Sequence, residues 1–273
     1  EQALSEGQRL LGGSDHASIG PLPLYVTGMA LYSDGKTDEA IKKLSEALEK
    51  YVQNNDSEMA LRVRFNLAQI NAEQGKFNTA LELANKVIEE SKTVNIPECE
   101  AGALLIKAEA GMRLGQLTKS VELAQEALTI YRKLGSKDGS IAARLLMAEG
   151  YGDLGSPATS VKLLKESIEE AKSGVSRKTA NQVRLSIARF RLSRESTEKA
   201  IESASEARKG FLEVKDSLGV AEADLVTGMA YELAGQSAKA DDPLNSSLKR
   251  FTELGDSYGI GRALTALGVH YKN

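Results

Sequence analysis

The turn Gly155-Ser156-Pro157-Ala158 decides the fold, because the same turn returns every 40 residues along the chain. Each turn has a small residue seven positions before it and another five positions after it. The turn position is occupied by Gly35, Gly75, Gly115, Gly155, Glu195 and Gly235. Six registers without an insertion or deletion identify a repeat array.

The recurring small residues indicate how one 40-residue unit folds. Before the turns they are Gly28, Ala68, Ala108, Ala148, Ala188 and Gly228. After the turns they are Ala40, Ala80, Ser120, Ser160, Ala200 and Ala240. A turn glycine ends a helix in the left-handed conformation at little cost, and small side chains let two helix axes approach closely. Each unit is therefore predicted to be an antiparallel helix pair that must stack on its neighbours.

This register divides the chain into two parts. We interpret residues 1–20 as the second helix of a preceding partial repeat and a loose linker, and we expect both ends to be cut from a longer protein. Residues 21–273 are predicted to hold six 40-residue repeats and a seventh first helix. First helices are predicted near 21–34, 57–74, 97–114, 138–154, 177–194, 217–234 and 257–272. Second helices are predicted near 37–52, 77–93, 117–134, 157–172, 197–214 and 237–254.

Composition narrows the class of partner. The 273 residues carry 35 Lys plus Arg against 38 Asp plus Glu, a net charge of −3, which gives no case for binding nucleic acid or a membrane surface. There is no run of 18 apolar residues that could cross a membrane. The single cysteine, Cys99, excludes a disulfide framework and is compatible with a reducing, cytoplasmic compartment.

The pattern of small residues resembles the tetratricopeptide repeat, with a further alanine twelve positions after the turn at Ala47, Ala127 and Ala207. The segment Asp256-Ser257-Tyr258-Gly259, followed by Ala263-Leu264, Leu267-Gly268 and Tyr271, resembles the long-helix subclass found in Pins/LGN-type polarity adaptors, rapsyn and kinesin light chains. The resemblance implies an all-α, right-handed superhelical solenoid of stacked antiparallel helix pairs with a generic binding role.

Two units depart from the repeat. Glu195 replaces a turn glycine, which should strain or reshape that turn. Asp241-Asp242-Pro243 falls where the second helix of the sixth unit should run. Two interpretations of Pro243 stay open: a helix that begins late with Asp242 as its cap, which we favour, and a functional kink.

The sequence offers no catalytic or metal-binding motif. Its two histidines are His16, in the linker, and His270, near the end of the chain, and Cys99 has no histidine close in sequence. Zinc-ligand, nucleophile-elbow and phosphate-loop motifs are missing. We therefore expect no enzymatic activity, no bound metal and no cofactor.

Candidate binding residues follow from the expected groove. In tetratricopeptide arrays the first helices line the concave side, and positions 13, 9, 6 and 2 before each turn form one helical stripe. The candidates on this stripe are Arg62, Asn66, Gln69, Ile106, Glu109, Arg113, Leu146, Glu149, Asp153, Gln182, Arg189 and Met229. Ile106, Leu146, Val226 and Met229 are expected to give an apolar floor. The acidic side chains of Glu109, Glu149 and Asp153 suggest a ligand with a basic group.

An EEVD-type chaperone tail is not the expected partner. The relatives that bind such tails use Lys and Asn in the first repeat and Lys and Arg in the third. Here Tyr25 and Met29, then Gly102 and Ile106, stand at the equivalent positions, and only Asn66 matches the pattern.

The predicted function is a non-catalytic scaffold that binds a peptide segment or a partner helix in the concave groove. One alternative is a ligand- or peptide-sensing regulatory module of a longer multidomain protein. The other alternative is self-association through the array ends, where the apolar faces of Leu4–Leu11 and Leu264–Tyr271 would meet a neighbour.

Overall fold

The computed structural model describes residues 20–194 and 196–272, and these ranges fold into thirteen helices. The first helices of the repeats are α1 (Pro21–Ser33), α3 (Ser57–Glu73), α5 (Pro97–Arg113), α7 (Lys137–Asp153), α9 (Arg177–Ser193), α11 (Ser217–Leu233) and α13 (Ser257–His270). The second helices are α2 (Thr37–Gln53), α4 (Phe77–Val94), α6 (Leu117–Lys133), α8 (Pro157–Ala171), α10 (Thr197–Glu213) and α12 (Ser237–Leu254). Every boundary lies within two residues of its prediction, and the all-α fold of stacked helix pairs is confirmed. Among these helices, none combines the length and the apolar character that a membrane span requires.

The turns recur with two periods that interleave. All five predicted turn glycines have left-handed backbone, with φ between 67° and 79°. A second left-handed series, which the sequence reading did not predict, joins each second helix to the next first helix and comprises Asn55, Asn95, Gly135, Lys215 and Gly255. Glu195 lies outside the described residues. The first series is spaced by 40 residues where it is described. The second series departs from that spacing between α8 and α9, where the left-handed residue is Gly174, one position earlier than the period predicts.

Small residues before the turns lie at close helix contacts, as predicted. Ala68 and Ala148 are buried at 0% and 2% exposure. A Cβ atom added to Gly28 would lie 2.8 Å from the Leu44 side chain, and one on Gly228 would lie 2.5 Å from Leu244. These positions have no room for a larger side chain unless the second helix shifts.

The described residues group into two compact units. Unit 1 comprises residues 20–72 and 77–110, and unit 2 comprises residues 73–76 and 111–272. In unit 1 the core is built around Leu44, Leu61 and Val63. In unit 2 it is built around Phe211 and Phe251, and an added Cβ on Gly219 or Gly259 would collide with these rings.

A partly buried ion pair joins the two helices of the second, fourth and sixth repeats, between the residue eleven before the turn and the residue fifteen after it. In unit 1 this pair is Arg64 with Glu90. In unit 2 it is Arg144 with Glu170, at 2.5 Å, and the charges are reversed in the sixth repeat, where Asp224 faces Arg250 at 3.7 Å. Removing one partner of such a pair leaves a charge without its counterion, so these pairs help to hold α4, α8 and α12 in register on their first helices.

The late start predicted for the helix at Pro243 is wrong. The α12 helix begins at Ser237 and runs through Pro243 to Leu254. Ala240 and Leu244 are both fully buried, so packing on both sides of the proline holds the first turns in place although proline removes one backbone hydrogen bond. The Asn245 side chain also donates to the Asp241 carbonyl at 3.0 Å, which supports this turn.

Candidate functional site

Five charged side chains of the stripe meet in unit 2, one from each of five consecutive first helices. The Arg113 Nη1 atom of α5 donates to Glu149 Oε1 of α7 at 2.7 Å. The Arg189 Nη2 atom of α9 donates to Glu222 Oε2 of α11 at 2.6 Å. The Arg262 Nη1 atom of α13 donates to Glu222 Oε1 at 2.7 Å. We call these five residues the charged row, and its pairs link helices that are not neighbours in sequence.

The aromatic ring of Tyr258, at the start of α13, lies against both ends of the charged row. The Arg113 guanidinium carbon is 4.9 Å from the ring centroid, and that of Arg262 is 5.7 Å away. Both distances fit a cation–π contact. Through Tyr258 the charged row closes on itself inside unit 2.

The electrostatics of the charged row keep its carboxylates ionised. Burial alone would raise the pKa of Glu222, but the charges and hydrogen bonds of Arg189 and Arg262 outweigh burial and bring it to about 2. Burial likewise opposes ionisation of Glu149, whose pKa is nevertheless lowered by Arg113 and Arg189. The row is therefore fully charged at neutral pH.

Arg189 lies at the centre of the charged row, and one of its N–H donors makes no hydrogen bond. Burial lowers its pKa, yet Glu222 and Glu149 raise it above the ordinary arginine value. Its Nε atom is buried and has no hydrogen-bond partner. A buried N–H without an acceptor is unfavourable, so an acceptor that reached this guanidinium would be stabilised.

An exposed apolar surface adjoins the charged row on α11 and α13, two first helices that pack side by side. Met229, Leu233 and Val269 are 38%, 60% and 52% exposed. Met229 and Leu233 lie six and two residues before the turn that follows α11. Val269 lies 40 residues after Met229, at the same repeat position of α13. We call these three residues the apolar patch, and large exposed apolar side chains of this kind are typical of a binding surface.

The remaining candidates of unit 2 differ in exposure. Leu146 and Gln182 are half-buried on the same stripe. Asp153 is exposed at the end of α7, and its pKa is raised by partial burial and by the nearby Glu149. The expected acidic centre is therefore altered, because the Glu149 carboxylate is already neutralised by Arg113 and Arg189.

In unit 1 the candidate side chains contact residues of their own helix or of neighbouring helices. Arg62 pairs with Glu58 of its own helix at 3.0 Å, and Asn66 donates to the Tyr25 hydroxyl at 3.1 Å. Ile106 is 7% exposed and belongs to a core cluster, so its side chain packs inside the unit. Gln69 is half-buried and Glu109 is exposed. Val226, expected in the apolar floor, is buried in the core of unit 2 at 2% exposure.

The sequence reading did not place Arg262, Tyr258 or Val269 in the site, although the signal was present. Arg262 and Val269 lie 40 residues after Glu222 and Met229. Extending the stripe by one period into the seventh first helix would have found them. Tyr258 precedes the stripe positions, and its role follows only from the geometry.

Other reactive side chains of the described residues belong neither to the charged row nor to the apolar patch. Cys99 is buried, and burial raises its thiol pKa. His270 Nδ1 lies 2.5 Å from Glu232 Oε1, and its Nε2 lies 3.4 Å from Asp241 Oδ1. Within residues 20–194 and 196–272, no group of three or more His, Cys, Asp or Glu side chains could hold a metal ion. His16 lies outside the described residues.

Comparison with known proteins identifies the repeat. The tetratricopeptide repeat family model matches residues 25–89. A search of curated proteins by sequence found no match.

Solved structures share the fold at low sequence identity. A Rap protein complexed with Competence and Sporulation Factor has a TM-score of 0.70 and 16% identity, over 98% of this chain and 79% of that chain. The Rap conjugation gene regulator of plasmid pLS20, in complex with the Phr* peptide, has a TM-score of 0.66 and 13% identity, over 98% and 77%. A signal transduction ATPase of the STAND class with a tetratricopeptide repeat sensor, from Pyrococcus horikoshii, has a TM-score of 0.62 and 17% identity. That alignment covers 97% of this chain but only 43% of the ATPase.

Proposed function

Since the chain is a tetratricopeptide-repeat protein, we propose that it is a non-catalytic interaction scaffold that holds a peptide segment or a partner helix on its first helices. The binding surface is the charged row together with the apolar patch of unit 2. The observation that carries the proposal is the convergence of stripe side chains from five consecutive first helices. Five separate helices that supply one surface can read a ligand several residues long.

The two parts of this surface have different tasks. Apolar side chains that dock on Met229 and Leu233 supply most of the affinity, because burial of large apolar groups dominates binding energy. The charged row supplies orientation and selectivity, since its charges are already paired with one another and electrostatic complementarity acts on specificity more than on affinity. The Rap regulator of pLS20, which is similar in fold, binds the Phr* peptide, and this supports a peptide as the ligand class.

The same reasoning narrows the partner. Tetratricopeptide-repeat proteins generally act without catalysis, and the proposed site needs neither metal nor cofactor. We do not propose an EEVD-type tail as the ligand. Binding such a tail requires a lysine at the position of Tyr25, and the Tyr25 hydroxyl here accepts a hydrogen bond from Asn66. The charge of −3 favours neither nucleic acid nor a membrane surface. We place the protein in the reducing cytoplasm, where a lone buried thiol such as Cys99 is stable.

A sensing role is the second candidate. The STAND ATPase of similar fold has a tetratricopeptide repeat sensor, which supports a regulatory module within a longer protein. Peptide binding would then change the activity of an attached domain, whereas a pure scaffold would only recruit its partner.

Self-association would use a different surface. Leu264 and Tyr271 of the α13 region are 52% and 68% exposed, while Leu4–Leu11 lies outside the described residues. Light scattering at rising concentration distinguishes this role, because a monomer keeps the chain mass of 29.3 kDa. A mass that doubles and returns to this value in Leu264→Glu would favour self-association over the scaffold.

The main proposal is tested with a randomised octapeptide pool and two matched variants. Leu233→Glu places a charge in the apolar patch, and Leu212→Glu places one at a similarly exposed leucine on α10, away from the stripe. We expect Leu233→Glu to reduce the bound fraction of the pool at least tenfold and Leu212→Glu to leave it unchanged. Equal retention by both variants, with helicity intact, would place the binding surface elsewhere.

A further inference from the structure

We propose that the turn at Gln74 and Gly75 docks on the start of α13 and positions Tyr258, so that the charged row is held in its binding geometry. This inference rests on the proposed function. It adds two positioning residues that lie outside the stripe and act on the same site.

The turn at Gly75 is packed against other residues, whereas its equivalents are open. A Cβ atom added to Gly75 would lie 3.1 Å from Asp256 Oδ1 and 3.2 Å from the Tyr258 amide nitrogen. A Cβ atom added to the other turn glycines would meet no atom of the described residues within 4 Å, and these glycines are Gly35, Gly115, Gly155 and Gly235. Docking therefore distinguishes this turn from the four others that carry glycine.

The residue before Gly75 is buried at the same place. Gln74 is 7% exposed, and its Nε2 atom lies 3.8 Å from the position that a Cβ would take on Gly255. At the equivalent positions of the third and fourth repeats, Leu114 and Leu154 are 50% and 41% exposed. A polar side chain is thus buried here although leucines at the same repeat position are exposed, which indicates a specific contact.

This contact joins parts of unit 2 that are far apart in the chain. Residues 73–76 connect α3 to α4 and belong to unit 2. Asp256 caps α13 of the seventh repeat by accepting a hydrogen bond from the Gly259 amide at 3.0 Å. The repeats of a solenoid normally contact only their neighbours. The docked turn therefore adds a constraint that stacking alone does not supply.

Tyr258 connects the docked turn with the charged row. Its amide nitrogen faces Gly75, while its ring lies over the Arg113 and Arg262 guanidinium groups. A turn that holds the backbone of Tyr258 also fixes where its ring meets the two arginines. A surface that is held in its binding geometry before the ligand arrives binds more tightly, because less conformational freedom is lost on binding.

The docked contact has unfavourable features that leave it open to perturbation. The Gln74 Oε1 atom is buried and has no hydrogen-bond partner. A buried acceptor without a donor weakens the contact. Burial also raises the pKa of the Asp256 carboxyl, so this charge is held in an unfavourable environment. Substitutions in the turn should therefore release it from α13 while the stacked repeats stay folded.

The experiment uses the full chain and the randomised octapeptide pool. Gly75→Asn introduces a side chain into the docked contact. Gly35→Asn is the matched control, because Gly35 has the same left-handed backbone and no described neighbour within 4 Å. Asparagine adopts this backbone in the chain itself, at Asn55 and Asn95, so the two variants place little strain on their turns.

We expect Gly75→Asn to weaken binding of the pool about tenfold and Gly35→Asn to leave it unchanged. Gln74→Glu should act like Gly75→Asn, because an ionised carboxylate is costly to bury and favours release of the turn. In a chain that carries Tyr258→Leu, Gly75→Asn should have no further effect on binding, since the turn acts through Tyr258.

The outcomes separate this inference from the proposed function. Equal binding by Gly75→Asn and Gly35→Asn, or tighter binding by Gly75→Asn, overturns the inference and leaves the scaffold function in place. A full effect of Gly75→Asn in the Tyr258→Leu chain also overturns it, because a general loss of structure would act independently of Tyr258. Failure of the wild type to bind the pool overturns both. If Gly75→Asn does not fold, the comparison of Gln74→Glu with wild type decides.

Discussion

The same stripe carries different contacts in the two compact units. In unit 1 the Arg62 side chain is 43% exposed and pairs with Glu58, one turn away on its own helix. In unit 2 the arginines of the stripe pair with carboxylates on other helices, and Glu222 alone bonds two of them. The two units thus share the repeated helix-pair backbone but differ in the side chains and contacts of the stripe. In unit 1 the stripe arginine Arg62 makes a solvated pair within its own helix, whereas in unit 2 the stripe charges pair between helices.

The two kinds of ion pair should differ in how much they contribute to the stability of the fold. Exposed pairs within one helix contribute about 0.3–0.5 kcal/mol. Loss of one partner from a buried pair costs about 3–5 kcal/mol, because a charge is left without its counterion. The comparison therefore predicts a large effect in unit 2 and a small effect in unit 1 for chemically similar substitutions.

The largest effect is expected for Glu222→Gln. The glutamine has the same shape but leaves Arg189 and Arg262 without their shared carboxylate, and we expect a loss of about 3 kcal/mol in the free energy of unfolding. Glu58→Gln is the matched control in unit 1 and should cost less than about 0.5 kcal/mol. Urea unfolding followed by circular dichroism measures both. Equal losses would mean that the two units use their stripe charges alike.

A pH series sharpens the same comparison. The pKa of Glu222 falls from about 4.3 in the unfolded chain to about 2 in the folded protein. A lowered pKa stabilises the fold above the unfolded value, and this contribution is lost as pH falls from about 4.5 to 2. The stability difference between wild type and Glu222→Gln should therefore be constant above pH 5 and shrink below pH 4. A difference that persists unchanged at pH 3 would show that Glu222 acts through its shape and not its charge.

Much of the fold could be predicted because it depends on local rules repeated many times. A turn glycine, two small residues and a period of 40 fix the helix pairs, and each repeat supplies independent evidence for the next. Pro243 was misread for a related reason. Local propensity favours a helix start there, but the burial of Ala240 one turn earlier decides the outcome, and burial depends on the neighbouring helices.

The site could be predicted only in outline. Helical spacing put Arg113, Glu149 and Arg189, which take part in the charged row, on one stripe of successive first helices. It could not show that Glu222 would bond both Arg189 and Arg262, or that Tyr258 would contact the two outer arginines, because these contacts depend on side-chain reach between helices. It also could not show which apolar stripe residues stay exposed, since Ile106 and Val226 are buried while Met229 is not.

A larger side chain at a close contact between helices tests a packing feature that the two units share. Ala68 and Ala148 occupy the same repeat position in unit 1 and unit 2, and both are buried where two helices approach closely. We expect Ala68→Leu and Ala148→Leu each to cost about 1–3 kcal/mol, because the extra methyl groups force the helices apart. Thermal and urea unfolding should give similar losses for the two variants. An unchanged midpoint for either would refute the repeat register at that position.

The smallest effect is expected for Arg62→Ala. Its guanidinium is held by Glu58 alone among the contacts described for it, and both side chains are largely solvated, at 43% and 59% exposure. Solvent screening and the entropy of two long side chains offset most of the Coulomb attraction, so we expect a change within about 0.5 kcal/mol. Alanine also has a slightly higher helix propensity than arginine, which reduces the loss further. The measurement is urea unfolding of Arg62→Ala beside Arg189→Ala, a stripe arginine of unit 2 whose removal leaves Glu222 with one partner fewer. A loss for Arg62→Ala as large as that for Arg189→Ala would contradict the distinction between the pair that Arg62 makes within its own helix and the inter-helix pairs of the charged row.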